Sequence, residues 1–334
     1  MLTRAAVLRR CGTGDDGTPP PFDALAIEEL ELAAPGPGEV EVAPVAACIC
    51  HSDLSVLTGA RPRPVPMVLG HEGSGVVTEV GPGVTRFQPG QPVVFTYVPA
   101  CGHCSFCVGG RPALCEGGNA ANQHGQLLTG AKPFQDHAGE ALNQHLGLSA
   151  FSERTVVAQE SLIPVPDDMP LELAAVFGCA IVTGVGAVVN TVSVRPGARV
   201  AVFGLGGVGL SVVMGAHLVG ATEIVGIDVV EDKFELAREL GATTTLLAGD
   251  DVATAIAGLT AGGVDYAFDT TGVAAVVSQA YATTRRGGTT VIVGLPDPSA
   301  RVEVSPAELV ATERTLCGSY MGSAVPACDF FWLF

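Results

Sequence analysis

The chain is short of positive charge. Its 334 residues carry 17 Lys and Arg against 34 Asp and Glu, a formal net charge of −17. Polyanions are held through Lys and Arg contacts to phosphate, so a surface of this balance repels nucleic acid and points to small-molecule partners. Residues 1–16 include Arg4, Arg9 and Arg10 but lack the continuous apolar core of about 7–15 residues that a secretory signal needs, so the expected location is the cytoplasm. Neither a repeat of solenoid period nor a low-complexity tract is present. Gly and Pro together make up 66 residues, which is turn-rich but short of low-complexity composition, and 48% of the chain is hydrophobic; disorder is excluded. By length the chain holds about two domains, each able to bury its own core.

What is present in quantity is apolar sequence, with a mean hydropathy of +0.41. Val200–Ala221 runs 22 residues with only Ser211 and His217 clearly polar. By length it matches a membrane span. It also contains six glycines, opens on a strand-like run and has no flanking Lys/Arg cluster, so it reads as a buried strand-turn-helix and no membrane partner is expected.

The texture of the chain changes near Val194. Before it come short β-like runs broken by Gly and Pro: Val40–Cys50, Gly75–Val80, Gln91–Thr96 and Phe151–Val157. Beyond it, apolar strands (199–204, 223–228, 243–247, 264–269, 289–294) alternate with helical stretches (208–218, 231–240, 251–259, 273–281). Strands joined by helices at this spacing specify an α/β, doubly wound parallel sheet. Gly204-Leu-Gly-Gly-Val-Gly209 follows the first of these strands and opens the first helix, which is the context a dinucleotide fingerprint requires. Gly204 allows the tight turn, Gly206 lets a pyrophosphate approach the backbone, and Gly209 lets helix and strand pack; Gly207 and Val208 complete the helix start, where the phosphates sit. Asp228 ends the next strand, 19 residues after Gly209, where a carboxylate accepts ribose hydroxyls and repels a 2′-phosphate, so NAD is expected over NADP. Lys233 reaches the same ribose, and Val293 and Leu295 follow the last strand as further coenzyme contacts.

Ten cysteines in a chain expected in a reducing compartment read as metal ligands before disulfides. Cys101, Cys104, Cys107 and Cys115 form C-x2-C-x2-C-x7-C on a Gly-containing loop, a closed all-sulfur tetrahedral set whose role is structural. Iron–sulfur ligation is the rival at this spacing. A second set is discontinuous: Cys50-His-Ser-Asp53, Gly70-His71-Glu72-Gly73 and Gly178-Cys179. Two thiolates and one imidazole leave a fourth zinc position open, as a catalytic site does, but spacing alone does not join Cys50 to Cys179. His124, His137 and His145 lie on the long segment 117–148 and read as solvated loop histidines bordering a substrate channel, and Phe151 and Leu295 as its apolar walls.

The stretch from about Cys48 to Ser323 resembles the zinc-dependent alcohol dehydrogenases of the medium-chain dehydrogenase/reductase family. The match rests on Cys50-His-Ser-Asp-Leu, Val68-Leu-Gly-His-Glu-Gly-Ser-Gly-Val-Val77, Gly90 with Val93-Val94, the four clustered cysteines, Gly178-Cys179 and the glycine fingerprint. The resemblance implies a GroES-like, mostly-β catalytic domain over 1–180 with a structural zinc lobe at about 98–116. It implies a Rossmann coenzyme domain over 181–319, and a return segment over 320–334. It further implies two zinc ions per chain: a catalytic one on Cys50, His71 and Cys179, and a structural one on the four cysteines. Glu72 matches the carboxylate behind the catalytic zinc, Asp53 the residue that orients the ligating imidazole, and Ser52 the hydroxyl that takes the alcohol's proton. His51 matches a position near the coenzyme phosphates. The relay histidine of well-characterised members is Ser55 here, which leaves the terminal base to His51 or solvent.

The activity implied is hydride transfer between a primary alcohol, aliphatic or aromatic, and NAD, giving the aldehyde, by a homodimer or homotetramer. Oxidation of formaldehyde as its mycothiol- or glutathione-type thiol adduct ranks second, because the Arg that anchors the thiol carrier in that group is Asn119 here. A non-catalytic coenzyme- or zinc-binding relative is the reading from a different class. Relatives continue for several dozen residues after the coenzyme domain, whereas 14 follow Tyr320 here and the last seven include four aromatics. That end is therefore expected to be a truncated return segment with an exposed, aggregation-prone tail, the alternative being a short natural variant whose aromatic tail packs into the same cleft.

Overall fold

The computed structural model describes residues 1–12 and 24–333. The chain forms two compact units, Met1–Cys179 together with Val325–Phe334, and Ala180–Ala324. The sequence reading sets the boundary at 180/181 and the return at 320; in the structure the first unit ends on Cys179 itself and resumes at Val325.

The first unit is built on two five-stranded sheets. One runs in the order Phe134–Gln135, Leu25–Leu32, Leu2–Leu8, Met67–Val68, Asn143–Gln144; the other runs Leu162–Pro164, Pro92–Phe95, Gly73–Val80, Glu39–Ala47, Thr155–Ala158. All pairings are antiparallel except that of Met67–Val68 with Asn143–Gln144. Ala5, Val7, Leu30, Leu32, Val68, Leu127, Phe134, Leu142 and Val156 fill one core between them. Three elements that position the site were not read from the sequence. The three are the strand pair Leu2–Leu8 and Leu25–Leu32, counted as one element, the helix His51–Leu57 that begins where a strand to Cys50 was expected, and the helix Glu116–Gln123 that overlaps the supposed loop 117–148.

The C-terminal end differs from expectation as well. Pro326–Leu333 is a helix beside the strand Leu162–Pro164, its first turn closed by Val325 N–H donating to Asp329 at 2.8 Å. Phe330 is fully buried, which removes about 2–3 kcal/mol worth of apolar surface from water. At Phe330 the expected exposed tail is thus a packed helix face; Phe334, like residues 13–16 of the N-terminal segment, lies outside the described residues.

The second unit holds a six-stranded, wholly parallel sheet in the order Thr244–Leu247, Glu223–Asp228, Arg199–Phe203, Val264–Asp269, Thr284–Ile292, Thr315–Gly318. In chain order this is 3-2-1-4-5-6, the doubly wound arrangement in which ligands lie at the carboxyl ends of the strands where the order reverses. Successive residues of a strand face opposite ways, and Val200 and Val202 enter one core while Ala201 and Phe203 enter the other. Both sides being covered by helices accounts for the unbroken apolar run that imitates a membrane span. That run is the strand Arg199–Phe203, a turn and the helix Gly207–Leu218; among the described residues no single helix is long and apolar enough to cross a membrane.

Candidate active site and metal centres

The helix His51–Leu57 starts on Cys50, and Asp53 in its first turn turns back so that its Oδ2 accepts the Cys50 N–H at 3.0 Å. The other oxygen, Oδ1, accepts from His71 Nδ1 at 3.1 Å and from His145 Nδ1 at 2.9 Å. A carboxylate oxygen only accepts, so His71 donates from Nδ1, and its Nε2 lies 3.7 Å from Cys179 Sγ, where a bound metal would take the place of a proton. His71 and Glu72 immediately precede the strand Gly73–Val80, whose pairing with Glu39–Ala47 brings them to Cys50. Cys179 is delivered by Gly178, where a Cβ would stand 2.1 Å from the Phe95 carbonyl oxygen; only glycine allows that approach to the strand Pro92–Phe95.

Ligand atoms of Cys50, His71, Glu72 and Cys179 all lie within 4.8 Å of one another. Tetrahedral zinc with ordinary Zn–S and Zn–N bonds sets a sulfur–nitrogen edge of about 3.6 Å, close to the His71–Cys179 separation. The charge state fits a cation too. The Cys179 thiol, with His71 and the Ser52 backbone behind it, pulls Cys50 down to about 3 against the effect of burial. Cys179 is pushed up by the Cys50 sulfur, by burial and by Glu72. One thiolate and one thiol therefore share a proton, which a soft-enough divalent metal replaces. Burial alone would lower His71, but Asp53 and Cys50 raise it to about 10. Burial likewise opposes the charge on Asp53, yet His145 and His71 hold it well below the usual carboxylate range. Burial first, then Glu72 and Cys50, push Cys48 up to about 11, and Glu72 is itself buried beside the cluster. Cys48, expected in a core strand, lies half-buried just past the end of Glu39–Ala47, and Cys317 lies half-buried in the strand Thr315–Gly318.

Ser52 is half-buried and His51 exposed at the start of the same helix, and the Ser55 hydroxyl is spent on the His51 carbonyl. The reading of the loop histidines holds for His124 and His137, which are exposed, and fails for His145, which is 1% exposed. Burial and the neighbouring His71 keep His145 below the ordinary imidazole value in spite of Asp53. Phe151, expected to wall the substrate site, is partly buried and packs against the cluster of Leu8, Met67 and Leu69.

The four sulfurs of Cys101, Cys104, Cys107 and Cys115 also lie within 4.8 Å of one another, Cys101 and Cys107 at 4.0 Å. A ZnS4 tetrahedron has edges of about 3.8 Å. Backbone N–H groups of Cys101 and Gly118 point at the Cys115 sulfur, that of Cys104 at Cys101, and that of Cys107 at Cys104, at 3.3–3.5 Å, which stabilises thiolates. His103 is exposed, with Nδ1 2.8 Å from the Cys101 carbonyl, and is not part of the set. The helix Ser105–Val108 buries no side chain, and the buried residues of the lobe are few, Val98, Pro112, Ala113 and Cys115 among them. Cys115→Ser is accordingly expected to lose one metal equivalent and to expose the segment 101–115 to limited proteolysis, followed by mass spectrometry, while the melting of the second unit is unchanged.

In the second unit the fingerprint turn has the geometry its glycines imply. Gly204 has φ +90°, a Cβ on Gly209 would sit 1.8 Å from the Gly204 oxygen, and a Cβ on Gly206 would meet nothing. Asp228 accepts the Leu205 N–H of that turn at 2.6 Å and the Val230 N–H at 2.9 Å, and Lys233 Nζ lies 2.9 and 3.0 Å from its two oxygens. Val293 is a core residue, whereas Leu295 is 51% exposed.

Residues 36–167 match the model of the alcohol dehydrogenase GroES-like domain, and 207–331 that of the zinc-binding dehydrogenase. An alcohol dehydrogenase zinc-binding domain protein from Burkholderia ambifaria is 40% identical over 100% of this chain and 88% of its own, with a TM-score of 0.91. A benzyl alcohol dehydrogenase from Acinetobacter calcoaceticus is 32% identical over 100% of this chain and 88% of its own, with a TM-score of 0.87. An NAD-dependent alcohol dehydrogenase is 30% identical over 99% of this chain and 87% of its own, with a TM-score of 0.77.

Proposed function

Because the chain belongs to the zinc-dependent alcohol dehydrogenases of the medium-chain dehydrogenase/reductase family, we propose that it oxidises a primary alcohol, aliphatic or aromatic, to the aldehyde with NAD. The observation that carries this reading is the convergence of Cys50, His71 and Cys179, with Glu72 as the fourth neighbour within 4.8 Å; held by the two sulfurs and the imidazole alone, a tetrahedral zinc would keep its fourth position for an alcohol oxygen. When bound, zinc there supplies a Lewis acid that lowers the pKa of an alcohol hydroxyl, and NAD accepts the hydride. The two cysteines and His71 Nε2 hold the metal, and Asp53 keeps the His71 proton on Nδ1. Ser52 Oγ accepts the alcohol's proton as it releases its own, with His51, exposed one residue before it, or solvent as the terminal acceptor. Asp228 selects the unphosphorylated ribose. A second zinc on the four cysteines clamps the lobe.

A thiol-adduct substrate is disfavoured because the Asn119 side chain offers no cation and donates to the Cys115 carbonyl at 2.8 Å. A non-catalytic role is disfavoured because a binding protein needs no open metal position. The test is NAD reduction, followed by absorbance, with benzyl alcohol, short primary alcohols and a hydroxymethyl-thiol adduct, with zinc measured on the same sample. Turnover of the alcohols supports the proposal, and a fully zinc-loaded protein inert towards every one of them refutes it.

A further inference from the structure

Asp53 serves two histidines through one oxygen. Its Oδ1 lies 3.1 Å from His71 Nδ1 and 2.9 Å from His145 Nδ1, and its Oδ2 is taken by the Cys50 N–H. Asp53, His71 and His145 are 4%, 1% and 1% exposed, so no water competes for these bonds. The two imidazoles meet edge to face with centroids 5.0 Å apart. Asp53 is therefore fixed from three sides, by the Cys50 backbone, the His71 ring and a histidine 92 residues further along the chain.

The backbone that delivers His145 is itself unusual. Leu146 and Ser149 both adopt left-handed conformations, φ 52° and 55°, which L residues avoid, and Gly147 between them is left-handed as well. The turn is held by Ser149 Oγ donating to the Val68 carbonyl at 2.9 Å and by Thr155 Oγ1 donating to the Leu148 carbonyl at 2.6 Å. Val68 lies three residues before His71, so the turn is anchored to the segment that carries the ligand. Core packing alone calls for an apolar residue here, not a buried imidazole with a donor aimed at a carboxylate.

We propose that His145 is a positioning residue of the zinc site: its Nδ1–H locks Asp53 Oδ1, and Asp53 in turn fixes the tautomer and ring plane of His71. It touches neither metal nor substrate. Outer partners of a ligating histidine govern metal affinity, typically by about 10–100-fold when the partner in direct contact is lost. His145 stands one bond further out, so the effect expected is towards the lower end of that range. The inference rests on the zinc reading of Cys50, His71 and Cys179, and the experiment separates the two.

The variants are His145→Phe, which fills the space without a donor, and His145→Asn, whose Nδ2 falls near the position of the imidazole Nδ1. Zinc release to a chromophoric chelator is followed on the full chain, reading the phase that Cys50→Ser abolishes; the visible spectrum of the cobalt-substituted protein is recorded alongside. The Phe variant is expected to release this zinc about tenfold faster with an altered cobalt spectrum, and the Asn variant to restore both. Adding His145→Phe to Asp53→Asn is expected to change the release rate no further, because His145 acts through Asp53. Wild-type release and spectrum in the Phe variant, whatever its melting temperature, overturn the positioning role while leaving the zinc reading intact. Absence of the Cys50-dependent phase in the wild-type protein overturns the zinc reading itself. Should the Phe variant not fold, failure of the Asn variant to reproduce the wild-type rate decides against the proposal.

Discussion

Replacing Cys179 by alanine is expected to weaken zinc binding at this site and to lower kcat/KM for alcohol oxidation by about 1,000-fold or more, or roughly 4 kcal/mol of transition-state stabilisation. Cys179 is one of the three ligands proposed, buried to 7% exposure, and its sulfur lies 3.7 Å from His71 Nε2. Its loss leaves Cys50, His71 and the nearby Glu72, a carboxylate that can approach the cation but uses the position a substrate oxygen needs. The residual activity is therefore set by competition between Glu72 and alcohol, and adding Glu72→Gln to the alanine variant is expected to empty the site altogether. The fold bears little of the cost, since a Cys-to-Ala change removes one sulfur atom from the core, so the melting temperature of the chelated protein should stay within a few degrees of wild type. Metal analysis and initial rates on the same preparations check this. Two retained zinc equivalents with undiminished turnover would show that the catalytic ligand set lies elsewhere.

The second unit was legible because its information is local. Each strand alternates with its own helix, so the pattern that names the elements also orders them, and the turn from Phe203 to Gly209 sits inside one strand-helix unit. The first unit is held together by distant pairings. Leu25–Leu32 contains three glutamates and exposes Ile27 to 70%, which hides its strand character; it is a strand because Leu2–Leu8 pairs with it residue for residue. The helix His51–Leu57 is too short to show a period. Each ligand of the metal set was visible as a residue type, but what joins Cys50, His71 and Cys179 is tertiary, and only the family resemblance supplied it in advance. His145 had no signal of either kind. It lies on an irregular left-handed turn, where neither periodicity nor spacing to the other ligands carries information, and a histidine in a long polar segment is on composition alone a surface residue.

Asp228→Asn is expected to shift the ratio of kcat/KM with NAD to that with NADP by about 100-fold or more towards NADP. The aspartate is 6% exposed at the end of the strand Glu223–Asp228, where burial raises its carboxyl but the Leu205 N–H and Lys233 outweigh burial and hold it below its ordinary value. It is thus ionised at neutral pH, and a like charge a few ångströms away costs about 4 kcal/mol at the dielectric of a protein surface. Asparagine keeps an acceptor for the Leu205 N–H at the fingerprint turn, so the turn survives the change. What disappears is the charge, and with it the partner of Lys233, whose ammonium now lies 2.9 and 3.0 Å from the two carboxylate oxygens. The freed lysine becomes a cation for a 2′-phosphate, so part of the gain with NADP belongs to it. Adding Lys233→Ala to Asp228→Asn should therefore remove part of the NADP gain without restoring NAD, whereas a simple loss of repulsion would leave the gain intact. Steady-state kinetics with both coenzymes at saturating alcohol decide between the two. An unchanged ratio in the single variant would remove Asp228 from coenzyme selection and leave it only the role of bracing the glycine turn.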